Sequence, residues 1–230
     1  MNGFMKQWGM TLFLAGVLLA GSLIALLPEA VMTAADPSPV LVIDAGHGEP
    51  DGGAVASDGT AESGINLDIA NRLYGLANMF CVPAVRTRTG ESGLWDGECD
   101  TIREKKNSDM NNRVSAVNAV PGAVLVSIHQ NAYDGFVRGA QVFARSEEMS
   151  EALSLGIERA LKQRQDIPTR ASSQIPSGLY LFRNTSCPAV IVECGYITDP
   201  SDLSRLQDPA YREWVAVAVL HGYLTTVCDK

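Results

Sequence analysis

Three apolar runs in this chain end on groups that can do chemistry. "VLVIDAGHG" leads to His47, "AVLVSIHQNA" to His129, and "AVIVECGYITDP" to Glu193 and Cys194. A fourth group, Glu62, stands just before "SGINLDIANRLYGLANM", near the electropositive start of a predicted helix. A carboxylate at the end of a buried strand is costly unless it is paired, hydrogen-bonded or beside a metal. A single histidine at a strand end is ordinarily a satisfied polar residue. Two of the chain's three histidines at separate strand ends, with two carboxylates at comparable boundaries, favour a metal site. Two histidines and a carboxylate are an ordinary ligand set for catalytic zinc, which keeps a fourth position open. Such a metal polarises a carbonyl and lowers the pKa of water. A further carboxylate that is not a ligand can then move the proton. The compact H-E-x-x-H spacing is absent, so the argument rests on placement alone.

Rival chemistries can be weighed from the same stretches. Cys194 as a thiol nucleophile needs a histidine base within hydrogen-bond reach. The glycine-rich "AGHGEPDGG" lacks the lysine and hydroxyl residue of a phosphate loop. Its glycines instead let the backbone turn closely around His47. His221 lies in the last predicted helix, as a surface or packing residue. Arg86 and Arg88 are solvated or touch substrate. Arg113 opens a helix, as a structural ion-pair partner or a substrate contact. Asn131 orients a ligand or binds substrate, and Tyr133 reads as a loop residue.

These groups need a scaffold that brings strand ends together. The chain from about Val40 alternates strand and helix signals. Strands are predicted at "VLVID", "VPAVRTRT", "AVLVSI", "GAQVFA", "GLYLF" and "AVIVE". Helices are predicted at "SGINLDIANRLYGLANM", with Ile65, Ile69, Leu73 and Leu76 on one face, at "NNRVSAVNA", at "EEMSEALSLGIERALKQRQ", and at "AYREWVAVAVLHGYL" after an Asp208-Pro209 start. Six short strands alternating with four helices argue an α/β sheet covered on both faces. In such sheets ligands gather beyond the carboxyl ends of the strands. Residues 90–110, rich in glycine and charge, read as a surface insertion, and 165–177 as a similar loop.

The 230 residues carry 18 basic and 26 acidic side chains, a net charge of −8, and 46% hydrophobic residues. The length suits one folded domain plus an appendage. An acidic globular domain is a poor partner for phosphate backbones, which excludes nucleic acid as a leading reading. Met10 to Leu27 is an uncharged apolar run near the length of a bilayer-spanning helix, preceded by Lys6 and Trp8. Residues 1–35 therefore read as a membrane anchor, or alternatively a signal segment cleaved after Ala35, with a linker. Residues 36–230 read as the catalytic domain, placed outside the cytoplasm in either case. Five cysteines leave at least one unpaired, and no C-x-x-C pair supports a thiolate zinc site.

From about Val40 to Leu224 the chain resembles the zinc-dependent N-acetylmuramoyl-L-alanine amidases, the amidase type 3 family. "VIDAGHGEPDGGA", Glu62 to Leu67, "TRT" at 87–89, "NRVSAVNA", "VSIHQNA", "GAQVFAR" and "PAVIVECGYITDP" occur in the family's order. The short body, hydrophobic N-terminus and "GEPDGGA" are most similar to the sporulation, or germination-specific, members. The resemblance implies one zinc ion held by His47, Glu62 and His129, with Glu193 as the catalytic glutamate. It implies a single domain built on a mixed six-stranded sheet flanked by helices on both faces. The implied reaction cleaves the amide between N-acetylmuramic acid and L-alanine in peptidoglycan. For the sporulation members it further implies a place in the forespore or spore envelope, muramic-lactam formation in the cortex, a separate downstream deacetylase and an accessory lipoprotein. Arg113 and Asn131 stand as candidate substrate-binding residues. Departures from the pattern are Ser63, Cys194 and the charged stretch near 91–109. Competing readings are a non-catalytic wall-binding or regulatory protein on the same scaffold, a zinc peptidase cutting within the stem, and a cysteine hydrolase.

Overall fold

The most apolar runs of the sequence become the central strands of the sheet. In the computed structural model, which describes residues 38–228, β1 (Val40–Ala45), β3 (Ala123–Asn131) and β6 (Ala189–Tyr196) lie side by side and parallel. β2 (Ala84–Arg86) adds to the outer edge of β1, and β4 (Gln141–Ala144) pairs antiparallel to β6. β5 (Ser173–Gln174) closes the order β2-β1-β3-β6-β4-β5. The mixed six-stranded sheet is thus as the resemblance implies. The expected N-terminal hydrophobic segment and its linker lie outside the described residues.

Continuous Val, Ile and Leu runs suit strands covered on both faces, and side-chain alternation divides their burial between two cores. Leu41 and Ile43 of β1 share one core with Ile65, Ile69 and Leu73 of α1 (Glu62–Met79), with Leu153, Ile157 and Leu161 of α3 (Glu148–Leu161), and with Val215 and Val219 of α6 (Pro209–Cys228). Val42 and Leu125 face the other way. They meet Val117 of α2 (Ile102–Asn118) and Leu181 of α4 (Tyr180–Arg183).

Three elements differ from the sequence reading. Only residues 90–101 of the supposed insertion are irregular, because α2 begins at Ile102. A capping box starts it: Thr101 accepts from the Glu104 amide while Glu104 accepts from the Thr101 amide. Only Asp109, Arg113 and Val117 of α2 are buried, so the helix has no apolar stripe to read. "GLYLF" is not a strand. Tyr180–Arg183 forms one helical turn, and the sixth strand is the short β5 inside the predicted loop 165–177. A further helix, α5 (Pro200–Gln207), precedes α6, capped by Asp199, whose side chain accepts from the Ser201 and Asp202 amides. The predicted start of α6 holds, with Asp208 accepting from the Ala210 amide.

Candidate metal centre and active-site cleft

Parallel pairing carries the candidate residues to one end of the sheet. His129 lies opposite Glu193 in the β3–β6 register, and β1 runs out beside Ile128 before turning into the His47 loop. Both strands continue past their functional residue, to Asn131 and Tyr196, with an irregularity between His129 and Asn131.

His47 sits in the left-handed region, with φ +60°, a conformation costly for a residue with a side chain and common where a local geometry has been fixed for function. Its Nδ1 is 3.1 Å from Asp51 Oδ2, which turns Nε2 toward Glu62 Oε1, 3.4 Å away. Glu62 is the first residue of α1, with its side chain 4% exposed. Its Oε2 accepts from the Ala54 amide at 2.9 Å, and its Oε1 from the Gln130 amide at 3.1 Å and Asn66 Nδ2 at 3.2 Å. His129 Nδ1 stands 3.0 Å from Glu62 Oε1. One ligand-type atom from each of His47, Glu62 and His129 lies within 4.8 Å of the others. This donor set fits zinc: two imidazoles and one carboxylate converge from three elements. A carboxylate on the outer nitrogen of His47 orients the ring, as metal-binding histidines require.

Burial works against a charged Glu62, yet the hydrogen bond with His129 and the two nearby imidazoles outweigh it and hold the carboxyl at about 2. Burial likewise opposes charge on His129, but the Glu62 hydrogen bond and the Glu193 carboxylate raise it above the ordinary histidine value. Glu193 has less compensation. Burial, countered in part by His129 and reinforced by the Glu62 charge, pushes its carboxyl up to about 7. Its Oε2 is buried and has no hydrogen-bond partner among the described residues. A desolvated carboxyl that exchanges its proton near neutrality suits general acid–base work.

Above these groups opens a cavity of about 370 Å³. His47, His129 and Glu193 line it, with Trp95 from the loop before α2, Lys105, Lys106 and Met110 from α2, and Leu179 with the first three residues of α4.

Two glycines let the groups approach. A Cβ on Gly46 would lie 2.2 Å from His129 Cε1. Gly53, at φ +69°, would place a Cβ 2.5 Å from Glu62 Oε2 and 2.8 Å from His47 Cδ2. Gly53→Ala is therefore expected to cost about 1 kcal/mol of stability from the backbone conformation. It should also weaken metal binding by about 10-fold or more by displacing two donors. Thermal melts and metal retained after dialysis check the two effects separately.

Of the candidate substrate contacts, Arg113 is corrected by the structure. Its side chain is 0% exposed. Nε and Nη2 bind Asp109, Nη1 binds Asp44 Oδ1 at 2.6 Å and Ala45 O at 2.7 Å, and Nη2 also donates to His47 O. It holds the backbone of the His47 turn from beneath and has no free donor for a substrate. Asn131 is half-buried at the end of β3, with Oδ1 accepting from the Ala132 amide. Cys194 faces the core, 0% exposed, and burial pushes its thiol well above the ordinary range. Arg88 is buried and donates to Ala45 O, Gly46 O and Ser63 O. Arg86 stacks over Tyr74, 4.1 Å from the ring centroid. Sequence reasoning missed Asp44, which binds Thr87 and Ser127 hydroxyls as well as Arg113, and Asp51. Asp44 sits in "VLVID" as a charge closing an apolar run, the same signal that singled out Glu193.

The profile of the family described as N-acetylmuramoyl-L-alanine amidase matches residues 41–224. The germination-specific N-acetylmuramoyl-L-alanine amidase of Bacillus subtilis (strain 168) is 28% identical over 193 residues, 83% of this chain and 81% of that protein. The CwlD amidase from Clostridioides difficile, solved in complex with the GerS lipoprotein, superposes with a TM-score of 0.79 and 30% identity, over 84% of this chain and 100% of that one. The amidase AmiC2 of Nostoc punctiforme gives 0.67 and 27%, over 81% and 96%.

Proposed function

The chain belongs to the N-acetylmuramoyl-L-alanine amidase family, and we propose that it works as a one-zinc enzyme with His47, Glu62 and His129 as ligands and Glu193 as the proton-transfer group. Its reaction is hydrolysis of the amide between the lactyl group of N-acetylmuramic acid and the L-alanine of a peptidoglycan stem. The observation that carries the zinc reading is the convergence of two imidazoles and a carboxylate beside an unpartnered, buried Glu193 Oε2.

A zinc ion at these three residues would supply a Lewis acid that polarises the scissile carbonyl and acidifies water. The chain's own residues do the rest. Asp51 fixes which nitrogen of His47 faces inward. The Ala54 and Gln130 amides hold Glu62 in place. Glu193 takes the proton of the attacking water at Oε2 and returns it to the departing amine of L-alanine. The site ends with a lactyl carboxylate and an intact stem peptide. Cys194 takes no part, because its side chain lies on the opposite face of β6.

Chelation and product analysis test this reading together. Dialysis against a chelator is expected to abolish cleavage, and one equivalent of zinc to restore it. Digests should contain muramic acid with a free lactyl group and stems beginning in L-alanine. Cleavage within the stems would favour a peptidase, and activity that survives chelation would revive the thiol.

We further infer an extracytoplasmic place of action, on spore cortex, with an accessory lipoprotein as partner. This extends from the germination-specific relative and from the relative solved with a lipoprotein. Attachment through the N-terminal segment and a deacetylase acting on the product belong to the same proposal. A non-catalytic role on this scaffold is less well supported, since all four chemical groups are present.

A further inference from the structure

The net charge of −8 makes cations at the cleft conspicuous. The cavity is lined by three: Arg113, Lys105 and Lys106. Arg113 is buried and fully bonded beneath the floor. Lys106 is half-exposed and paired, its Nζ 3.0 Å from Asp51 Oδ1, so it is neutralised where it steadies the carboxylate behind His47. Lys105 is different. Its Nζ lies over the Trp95 ring, 4.1 Å from the centroid, and among the described residues it forms no ion pair with a carboxylate.

The platform under Lys105 is fixed rather than adaptable. Trp95 Nε1 donates to Glu49 O at 2.9 Å, in the loop that follows His47. The Gly93 amide donates to the same carbonyl at 3.0 Å, and the Leu94 amide donates to Asp109 Oδ1 at 2.6 Å. The capping box at Thr101 sets the first turn of α2, which carries Lys105. A cation on an indole face keeps its charge and is held in place by the ring quadrupole. The result is an ammonium presented to the cleft in one position, with hydrogen-bond donors still available.

We propose that Lys105, seated on Trp95, is a specificity-determining residue that receives a free carboxylate of the stem peptide, close on the L-alanine side of the scissile amide. The proposal rests on the amidase reading above, because it takes the leaving peptide as the group that lies against Lys105. Of the two halves of the substrate, the peptide is the one that carries carboxylates near the bond, whereas the glycan backbone is largely neutral. The enzyme then distinguishes stems whose second residue keeps its carboxylate from stems in which that group is a carboxamide.

The test compares two soluble muramoyl peptides that differ only there, one with D-glutamate and one with D-isoglutamine after L-alanine. Each is digested by the zinc-loaded full chain and by Lys105→Met and Lys105→Arg. A partly exposed ion pair is a modest interaction and is screened by salt, so the wild type is expected to favour the carboxylate about two- to fivefold in kcat/KM. The preference should appear in KM rather than kcat, and should shrink at high ionic strength. Lys105→Met should bring the two peptides to equal kcat/KM, and Lys105→Arg should restore the preference. Equal kcat/KM for the two peptides with wild type, or an undiminished preference in Lys105→Met, overturns the proposal and leaves the amidase reading intact. Failure to release the stem from either peptide overturns the amidase reading, and this proposal with it.

Discussion

Glu193→Gln is expected to lower kcat by about 10²–10⁴-fold, the usual worth of general acid–base catalysis, with zinc content unchanged. The substitution keeps the shape of the side chain and removes its ability to accept a proton. The three proposed ligands are held by other partners. Glu62 is fixed by two amides and Asn66, His47 by Asp51, and His129 by the β3 ladder. KM should therefore change little. Turnover within a fewfold of wild type, measured on the same peptidoglycan with metal content checked, would remove Glu193 from the mechanism.

The same variant separates catalysis from stability. The carboxyl of Glu193 is raised from 4.5 to about 7 in the fold. The folded protein thus holds its proton more tightly than the unfolded chain does. The ionised form is penalised in the fold, and that penalty grows as pH rises from about 4.5 to about 7. Metal-free Glu193→Gln should then equal wild type in melting temperature at low pH and exceed it above neutrality. An inactive variant that is not destabilised is the signature of a group retained for chemistry rather than packing.

Arg113→Met is expected to cost about 3–5 kcal/mol, the usual result of leaving one partner of a buried ion pair uncompensated. Two carboxylates depend on it. Asp109 is bound at 2.7 Å and Asp44 at 2.6 Å. Burial alone would push Asp44 up, but the Arg113 charge and the Ser127 and Thr87 hydroxyls bring it down to about 2. The sign follows: a carboxylate lowered by folding stabilises the protein above its unfolded value of 3.8, and that contribution is lost as pH falls through about 2. Without Arg113, Asp44 must be buried either charged and unpaired or protonated. The gap between wild type and variant should be widest above pH 4 and narrow as the solution becomes more acidic. Denaturant melts at several pH values measure it. A gap that does not depend on pH would mean the loss is one of packing, and that the ion pair adds nothing.

The contrast between Glu193 and Arg113 also shows what the sequence could reveal. A charged residue closing an apolar run is visible as a string, and this found Glu193 and the strands that carry His47 and His129. Asp44 carries the same signal, but its partners Thr87, Arg113 and Ser127 lie 43 or more residues away, so the string does not separate a carboxylate held beneath the site from one that faces it. Arg113 was visible as a cation opening a helix, but its direction was not. Whether an arginine faces a cleft or lies beneath it depends on which side of α2 meets the sheet, and α2 has almost no apolar residues to announce that side. The helix itself was half missed for the same reason, since the capping pair Thr101–Glu104 is a quieter mark than an amphipathic stripe. "GLYLF" failed in the opposite sense. Four apolar residues in a row fit a buried strand or a short helical turn equally well; in the structure the turn puts Leu181 in the core with Val42, Val117 and Leu125 and Tyr180 Oη 2.7 Å from Asn111 of α2.

The neighbouring parallel strands β1, β3 and β6 come from three well-separated parts of the chain, and each brings one member of the site. No fragment short of residue 193 holds all four groups, and no local hairpin can bring the two site histidines together. Loop closure across such separations is paid for only when the sheet condenses. The His47, Glu62 and His129 cluster and Glu193 therefore come together only as the core is completed, so a nascent or partly unfolded chain holds no assembled site. Latency before folding is built into the strand order itself.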